Sequence, residues 1–333
     1  MERDVLIGID VGSVSVKLAA LFKNGEDNSL LLNLVKTGQF FIPDIKSFHS
    51  FNSSSFLLSR YSRHYGNPLD VTAKFLESFF KFVPEKRIAG IWAVGSGGKL
   101  ISQQWGFHYL NEYRAVAEAV GFLYPDVFTI FELGGERSKY ILLSREKDGK
   151  VQISDYETNG ECAAGTGSFF DQQVERLRYK IEDVGKIIAG VKRTASIAGR
   201  CSVFAKSDMI HAQQRGYKPA EVLKGLCEAV VRNFKGTIAK GKTIKPKVAF
   251  IGGVAANEGV VKAFQELFGF YNGELVISDF YAWMGALGGM LVGLKKNPEK
   301  AEFFWHPLKK ENKKDYPTTH PLSLEKVKFL GHK

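Results

Sequence analysis

IGIDVGSVSVK, residues 7–17, decides the fold, because it reads as two apolar strands, 4–10 and 15–22, joined by a tight Val-Gly-Ser turn. The arrangement returns 122 residues later in FELGGERSK, residues 131–139. There too an acid is followed by a glycine two positions on and a lysine seven positions on, between apolar strands at 127–133 and 138–144. One such hairpin is an ordinary Gly-turned meander. Two at matched spacing read as a duplicated lobe, with two acid-bearing turns facing each other across a cleft. That geometry suits a nucleoside triphosphate with Mg²⁺.

A glycine at the turn removes the Cβ that would block close approach, so bare backbone N–H groups and a hydroxyl can cradle phosphate oxygens. Gly12, Ser13 and Ser15 in the first hairpin, and Gly134 and Gly135 in the second, are the candidates. Mg²⁺ prefers hard oxygen ligands and keeps several waters, so Asp10 and Glu132 would hold it mostly through water. Lys17 and Lys139 would neutralise charge on the phosphoryl group, and Glu136 would orient an attacking water. A third Gly-rich turn, VAFIGGVAAN at 248–257, places Gly252, Gly253, Val254 and Asn257 between a strand and a helix, where a flat adenosine can approach bare backbone. No G-x-x-x-x-G-K-[ST] occurs, so this is not the P-loop solution, and the lack of a helix-opening G-x-G-x-x-G counts against a Rossmann dinucleotide site.

The rest of the chain fits two α/β units. Its 333 residues exceed the usual single core of roughly 100–200. Helices are predicted at 68–82, 111–123, 167–179, 202–215, 219–240, 257–268 and 281–295, with strands at 88–94 and 247–251. The last helix has a Gly-rich face suited to close packing. Residues 38–66 read as an irregular excursion or short edge strands. The expected division is a first lobe over 1–98 closed by helix 281–295, a second over 99–280, and a loosely attached basic extension over 296–333. The net charge of +11 is spread rather than gathered into a Lys/Arg stripe with interleaved aromatics, which argues against nucleic acid. No apolar run approaches the ~20 residues of a membrane span, and no signal peptide is evident, so a cytoplasmic protein is expected. Cys162, Cys201 and Cys227 are too few for a secreted disulfide scaffold and read as free thiols or metal ligands. Cys227, in an apolar helix, reads as core.

The three Gly-rich loops together resemble the actin/Hsp70/sugar-kinase superfamily, which implies duplicated ribonuclease H-like α/β lobes around a nucleotide cleft. Within it, TNGECAAGTGSFFDQQ (158–173) and AGRCSVFAKSDMIHAQQRG (198–216) are similar to the two cysteine segments of the BadF/BadG/BcrA/BcrD ATPase family. That family comprises ATP-dependent iron–sulfur activators of 2-hydroxyacyl-CoA dehydratases and ATPase subunits of benzoyl-CoA reductases. The resemblance implies a homodimer whose Cys162 and Cys201 thiolates jointly hold one 4Fe-4S cluster. It also implies ATP/ADP turnover coupled to electron delivery into a dehydratase or reductase, with ferredoxin or flavodoxin as donor. Each cysteine immediately precedes a predicted helix, where N-terminal N–H groups stabilise thiolates, and a cluster that takes four thiolates needs two such chains. Without a cluster, the cysteines are small buried hydrophobes. The chain would then be a metal-free sugar or N-acetylhexosamine kinase of the same fold, or a nucleotide-binding scaffold. Two departures stand out: Glu132 where the family usually has Asp, and Glu136-Arg137 where it has Gln-Asp or Glu-Asp.

Overall fold

The computed structural model describes residues 3–25, 28–43, 54–160, 165–198, 202–296 and 303–308. Val5–Val11 (β1) and Ser15–Phe22 (β2) pair antiparallel and are almost wholly buried, as their continuous apolar runs require. The chain continues through Asn28–Lys36 (α1), Phe40–Phe41 (β3), Ser55–Ser59 (β4), Ser62–Arg63 (β5) and Pro68–Phe80 (α2). Ile88–Val94 (β6), Gly98–Trp105 (α3), His108–Tyr109 (β7) and Glu112–Leu123 (α4) follow. The first sheet runs β3-β4-β2-β1-β6-β7, and β5 adds to β2. Thr129–Leu133 (β8), Ser138–Arg145 (β9) and Val151–Thr158 (β10) begin the second sheet, followed by helices Gly167–Arg176 (α5), Val184–Ile188 (α6), Ser202–Gln214 (α7) and Pro219–Thr237 (α8). Val248–Ile251 (β11), Glu258–Phe268 (α9), Leu275–Ile277 (β12) and Met284–Lys296 (α10) complete the fold. The second sheet runs β10-β9-β8-β11-β12.

The two sheets repeat one plan. In each, the first strand (β1; β8) pairs antiparallel with the second (β2; β9) and parallel with the next-to-last in chain order (β6; β11), which in turn pairs parallel with the last, at the sheet edge (β7; β12). The register carries the duplication to single residues: Asp10 lies opposite Lys17, and Glu132 opposite Lys139. Gly95 and Gly252 follow β6 and β11 directly at φ +89° and +90°, where a Cβ would lie 2.5 Å from the Val11 carbonyl oxygen and 2.3 Å from that of Leu133. Only glycine is free of strain there.

Between the sheets lie α4 and α10, burying Ala115, Val116, Leu287 and Met290 against β-strand residues of both lobes. The Gly-rich face expected of the last helix is present and used. A Cβ on Gly288 would meet the Ala115 carbonyl oxygen at 1.8 Å, and one on Gly8 would meet that of Ala286 at 1.9 Å. Backbone therefore packs on backbone across β1, α10 and α4.

The structure departs from the expected elements in several places. Helices α1, α3 and α6 and strands β7, β10 and β12 are absent from the expected elements. Of the short edge strands expected within 38–66, β3 lies at the sheet edge and β5 pairs with β2 beside it, whereas β4 pairs on both sides, with β2 and β3, and is the first sheet's counterpart of β10. The extension after 296 is not loosely attached where it is described. Phe303 stacks on Phe80, Trp305 packs on Trp105, and the Trp105 indole N–H donates to the His306 carbonyl at 3.1 Å. Residues 303–308 thus cover a face made by α2 and α3, where their large rings are brought against Phe80 and Trp105.

Candidate functional site

Both hairpins close identically. The Gly12 N–H donates to the Ser15 carbonyl at 3.0 Å and the Gly134 N–H to that of Arg137 at 2.8 Å. Each lysine turns back on its own acid, with Lys17 at 2.9 Å from Asp10 and Lys139 at 3.0 Å from Glu132. The hairpin tips abut: a Cβ on Gly135 would lie 2.3 Å from Val14 Cγ2 and 2.9 Å from Ser13 Oγ.

Around this contact the cleft has two compartments. One, of about 190 Å³, is lined by Asp10, Lys17, Glu112, Glu132, Lys139 and Gly252; the other, of about 360 Å³, by Tyr61, Phe170, Lys186, Val254, Asn257 and Trp283. Tyr61 also borders the smaller one, and Val14, Gly134, Gly135, Gly253, Tyr281 and Ala282 border both. A charged, Gly-walled chamber opening into a larger aromatic one suits a triphosphate joined to a nucleoside. The remaining sequence candidates of the described chain, Gly12, Ser13, Ser15 and Glu136, line the smaller chamber. The Asn257 side-chain oxygen is engaged as the N-cap of α9, accepting from the Gly259 and Val260 N–H groups at 3.0 and 3.1 Å.

Burial pushes the Glu132 carboxyl above the usual carboxylate range, against the pull of Lys139. Burial also works against the Lys139 ammonium, but Glu132 and Glu112 outweigh it and hold its pKa above the ordinary lysine value. Glu112, 3.2 Å from Lys139, opens α4 behind the N-cap Asn111. In the sequence it reads only as a favourable first-turn acid. Arg63 and Asp171 are a second pair the sequence reading missed, joining the lobes at 2.8 Å, and nothing local in the sequence marks a contact between residues so far apart.

Cys162 and Cys201 lie outside the described residues. The helices that follow them in the chain, α5 and α7, pack against each other. Cys227 is buried, its thiol pushed up by desolvation, 3.9 Å from Asn257 Oδ1, in keeping with a core role. Among the described residues no His/Cys/Asp/Glu group could hold a metal ion by itself, and no helix is long and apolar enough to cross a membrane.

The chain is similar to the (R)-2-hydroxyglutaryl-CoA dehydratase activating ATPase of Acidaminococcus fermentans, 30% identical over 187 residues, covering 56% of this chain and 68% of the relative. Among solved structures, component A of the same organism's (R)-2-hydroxyglutaryl-CoA dehydratase matches with a TM-score of 0.68 and 25% identity, covering 88% of this chain and 99% of the other. The ADPNP-bound activator of the Clostridium difficile 2-hydroxyisocaproyl-CoA dehydratase matches with a TM-score of 0.67 and 21% identity, covering 88% and 95%. These likenesses agree with the duplicated actin-like lobes read from the two hairpins. Since the family model spans residues 7–292, from the first strand through the last interlobe helix, the chain belongs to the BadF/BadG/BcrA/BcrD ATPase family.

Proposed function

We propose that the chain is an ATP-dependent activator that couples ATP hydrolysis to low-potential electron transfer from a 4Fe-4S cluster into a 2-hydroxyacyl-CoA dehydratase or benzoyl-CoA reductase-type partner. The observation that carries the nucleotide half is the pair of matched hairpins, with Asp10/Lys17 and Glu132/Lys139 facing one chamber. Asp10 and Glu132 are hard oxygen donors on opposite walls and fit a hydrated Mg²⁺. The Gly12 and Gly135 turns leave backbone exposed for phosphate oxygens, while Gly252, Gly253 and Val254 offer a flat wall to the nucleoside. Lys17 and Lys139 balance the charge, and Glu136, exposed at the second turn, is placed to orient a water.

The electron-transfer half rests on the family and on donor chemistry. Two cysteines per chain supply half the thiolates of a 4Fe-4S cluster, so Cys162 and Cys201 of two copies would hold one between them. When bound, the cluster would supply a single low-potential electron, with ferredoxin or flavodoxin as its source. The second hairpin is already tied to the helix that follows Cys162. The Gly167 N–H donates to the Gly134 carbonyl at 2.8 Å and the Ser168 N–H to that of Gly135 at 2.7 Å. Oxygen-free reconstitution tests the proposal. A brown dimer with about four irons is expected, with MgATP hydrolysis that depends on redox state; a colourless Cys162→Ser variant whose hydrolysis is unchanged would reject the coupling. A wild-type protein that takes up no iron, or that cannot reduce a dehydratase component with ATP, rejects it.

A further inference from the structure

Arg63 and Asp171 come from different lobes, Arg63 from β5 and Asp171 from α5. They meet in a two-pronged ion pair, Nη1 to Oδ2 at 2.8 Å and Nη2 to Oδ1 at 3.4 Å, at the wall of the larger chamber. Each partner is tied to one phosphate hairpin. On the first-lobe side, β5 pairs with β2 so that Arg63 lies opposite Ser15. Next to it, the His64 N–H donates to the Val14 carbonyl at 3.0 Å, and His64 Nε2 lies 3.0 Å from the Gly12 carbonyl oxygen. On the second-lobe side, the first turn of α5 donates to Gly134 and Gly135 as described above. Because the hairpin tips also touch at Val14 and Gly135, the contacts form a closed ring: first hairpin, β5, Arg63, Asp171, α5, second hairpin.

We infer that the Arg63–Asp171 pair is a positioning device that sets the spacing of the two phosphate hairpins, and so of Asp10 and Glu132, without itself touching the phosphates. The inference rests on the nucleotide half of the proposed function. A bidentate guanidinium–carboxylate fork constrains direction as well as distance, unlike a lysine contact. At about a quarter to a third exposed, both side chains escape much of the solvent screening that weakens surface pairs. Opening this link leaves hairpin contact at Val14 and Gly135 as the ring's remaining closure. The acids then sample more spacings, of which fewer match the geometry phosphoryl transfer requires.

The test has one arm without nucleotide and one with it. In the nucleotide-free protein, the His64, Gly167 and Ser168 amides should exchange hydrogen about tenfold faster in Arg63→Ala and Asp171→Asn than in wild type. With MgATP, kcat should fall about tenfold while KM changes less than about twofold, since the loss is of alignment rather than contact. Arg63→Lys should restore only part of kcat, and the exchanged pair Arg63→Asp/Asp171→Arg most of both readouts. Unchanged amide exchange, unchanged kcat despite faster exchange, or an exchanged pair no better than the single variants would overturn the inference. If the wild type hydrolyses no ATP, the activator reading fails on its own, and the exchange arm still decides whether the pair holds the hairpins together.

Discussion

In the first lobe Lys17 answers one carboxylate, Asp10, and a hydroxyl, Ser15 Oγ at 3.3 Å; in the second, Lys139 answers two carboxylates, Glu132 and Glu112, and lies 5.5 Å from the Tyr113 ring. The strands, register and turn closure are the same in both. What differs is the interlobe helix that meets each hairpin: α4 brings Glu112 and Tyr113 to the second, whereas α10, which follows the outermost strand of its own sheet in the same way, brings only Gly285 against Asp10. Duplication therefore fixed the geometry, and the different residues that open the two interlobe helices made it asymmetric. The first pair is charge-neutral, whereas the second carries one surplus negative charge in a more enclosed place.

The asymmetry predicts unequal losses of activity. Asp10→Asn should lower kcat for MgATP hydrolysis about 10³-fold, the range seen when a preorganised charge contact at the reacting group is lost. Glu132→Gln should cost about tenfold to a hundredfold, because Glu112 keeps a carboxylate on Lys139 and in the same chamber. Steady-state phosphate release at saturating Mg²⁺ measures both. Equal losses would mean that Glu112 does not compensate and that the two walls are catalytically alike.

Stability should rank the other way. Lys139→Met leaves Glu132 and Glu112 facing each other in a buried site and should destabilise the protein by about 3 kcal/mol, even as one of the acids takes up a proton. Lys17→Met strands a single acid, Asp10, and should cost less, about 2 kcal/mol. Thermal or urea unfolding separates the two. The pH dependence has a definite sign. The folded pKa of Lys139 is raised above the ordinary 10.5, so its contribution is fully present below 10.5 and is lost only as pH climbs through the folded value. The wild type should therefore show no alkaline weakening from this pair until pH exceeds 10.5.

The parts of this molecule that were legible in the sequence are those where one residue type has a single physical use at a fixed spacing. Asp10/Lys17 and Glu132/Lys139 face each other because strand periodicity puts residues flanking a short turn in register, and the turn glycines were visible for the same reason. Strand β10 was missed because VQISDYET is a half-buried edge with polar residues on alternate positions, weaker as a signal than the buried runs of β1 or β8. Helices α1 and α3 are short, and their stability comes from packing rather than propensity. Glu112, Arg63 and Asp171 reach the cleft only once both lobes are folded. Residues 303–308 announced themselves by composition as a tail, but Phe303 and Trp305 find an aromatic surface built from α2 and α3 that no local pattern describes.

The smallest effect belongs to the tip of the second hairpin. Arg137 is exposed and lines the smaller chamber, where it partly offsets the surplus negative charge that Glu112 brings. The first hairpin has Ser15 at the matching place and needs no such cation, its acid and lysine already balancing. If that is why an arginine is tolerated beside the phosphates, Arg137→Ala should raise the KM for MgATP about twofold to threefold at low salt and leave kcat nearly unchanged. The difference should vanish at high ionic strength, because an exposed charge acts through a screened field rather than a fixed contact. Combining it with Glu112→Gln sharpens the comparison, since removing the surplus acid removes the need for the cation. In that background the Arg137→Ala effect on KM should shrink, and an undiminished effect would mean that Arg137 meets the nucleotide directly instead of balancing Glu112.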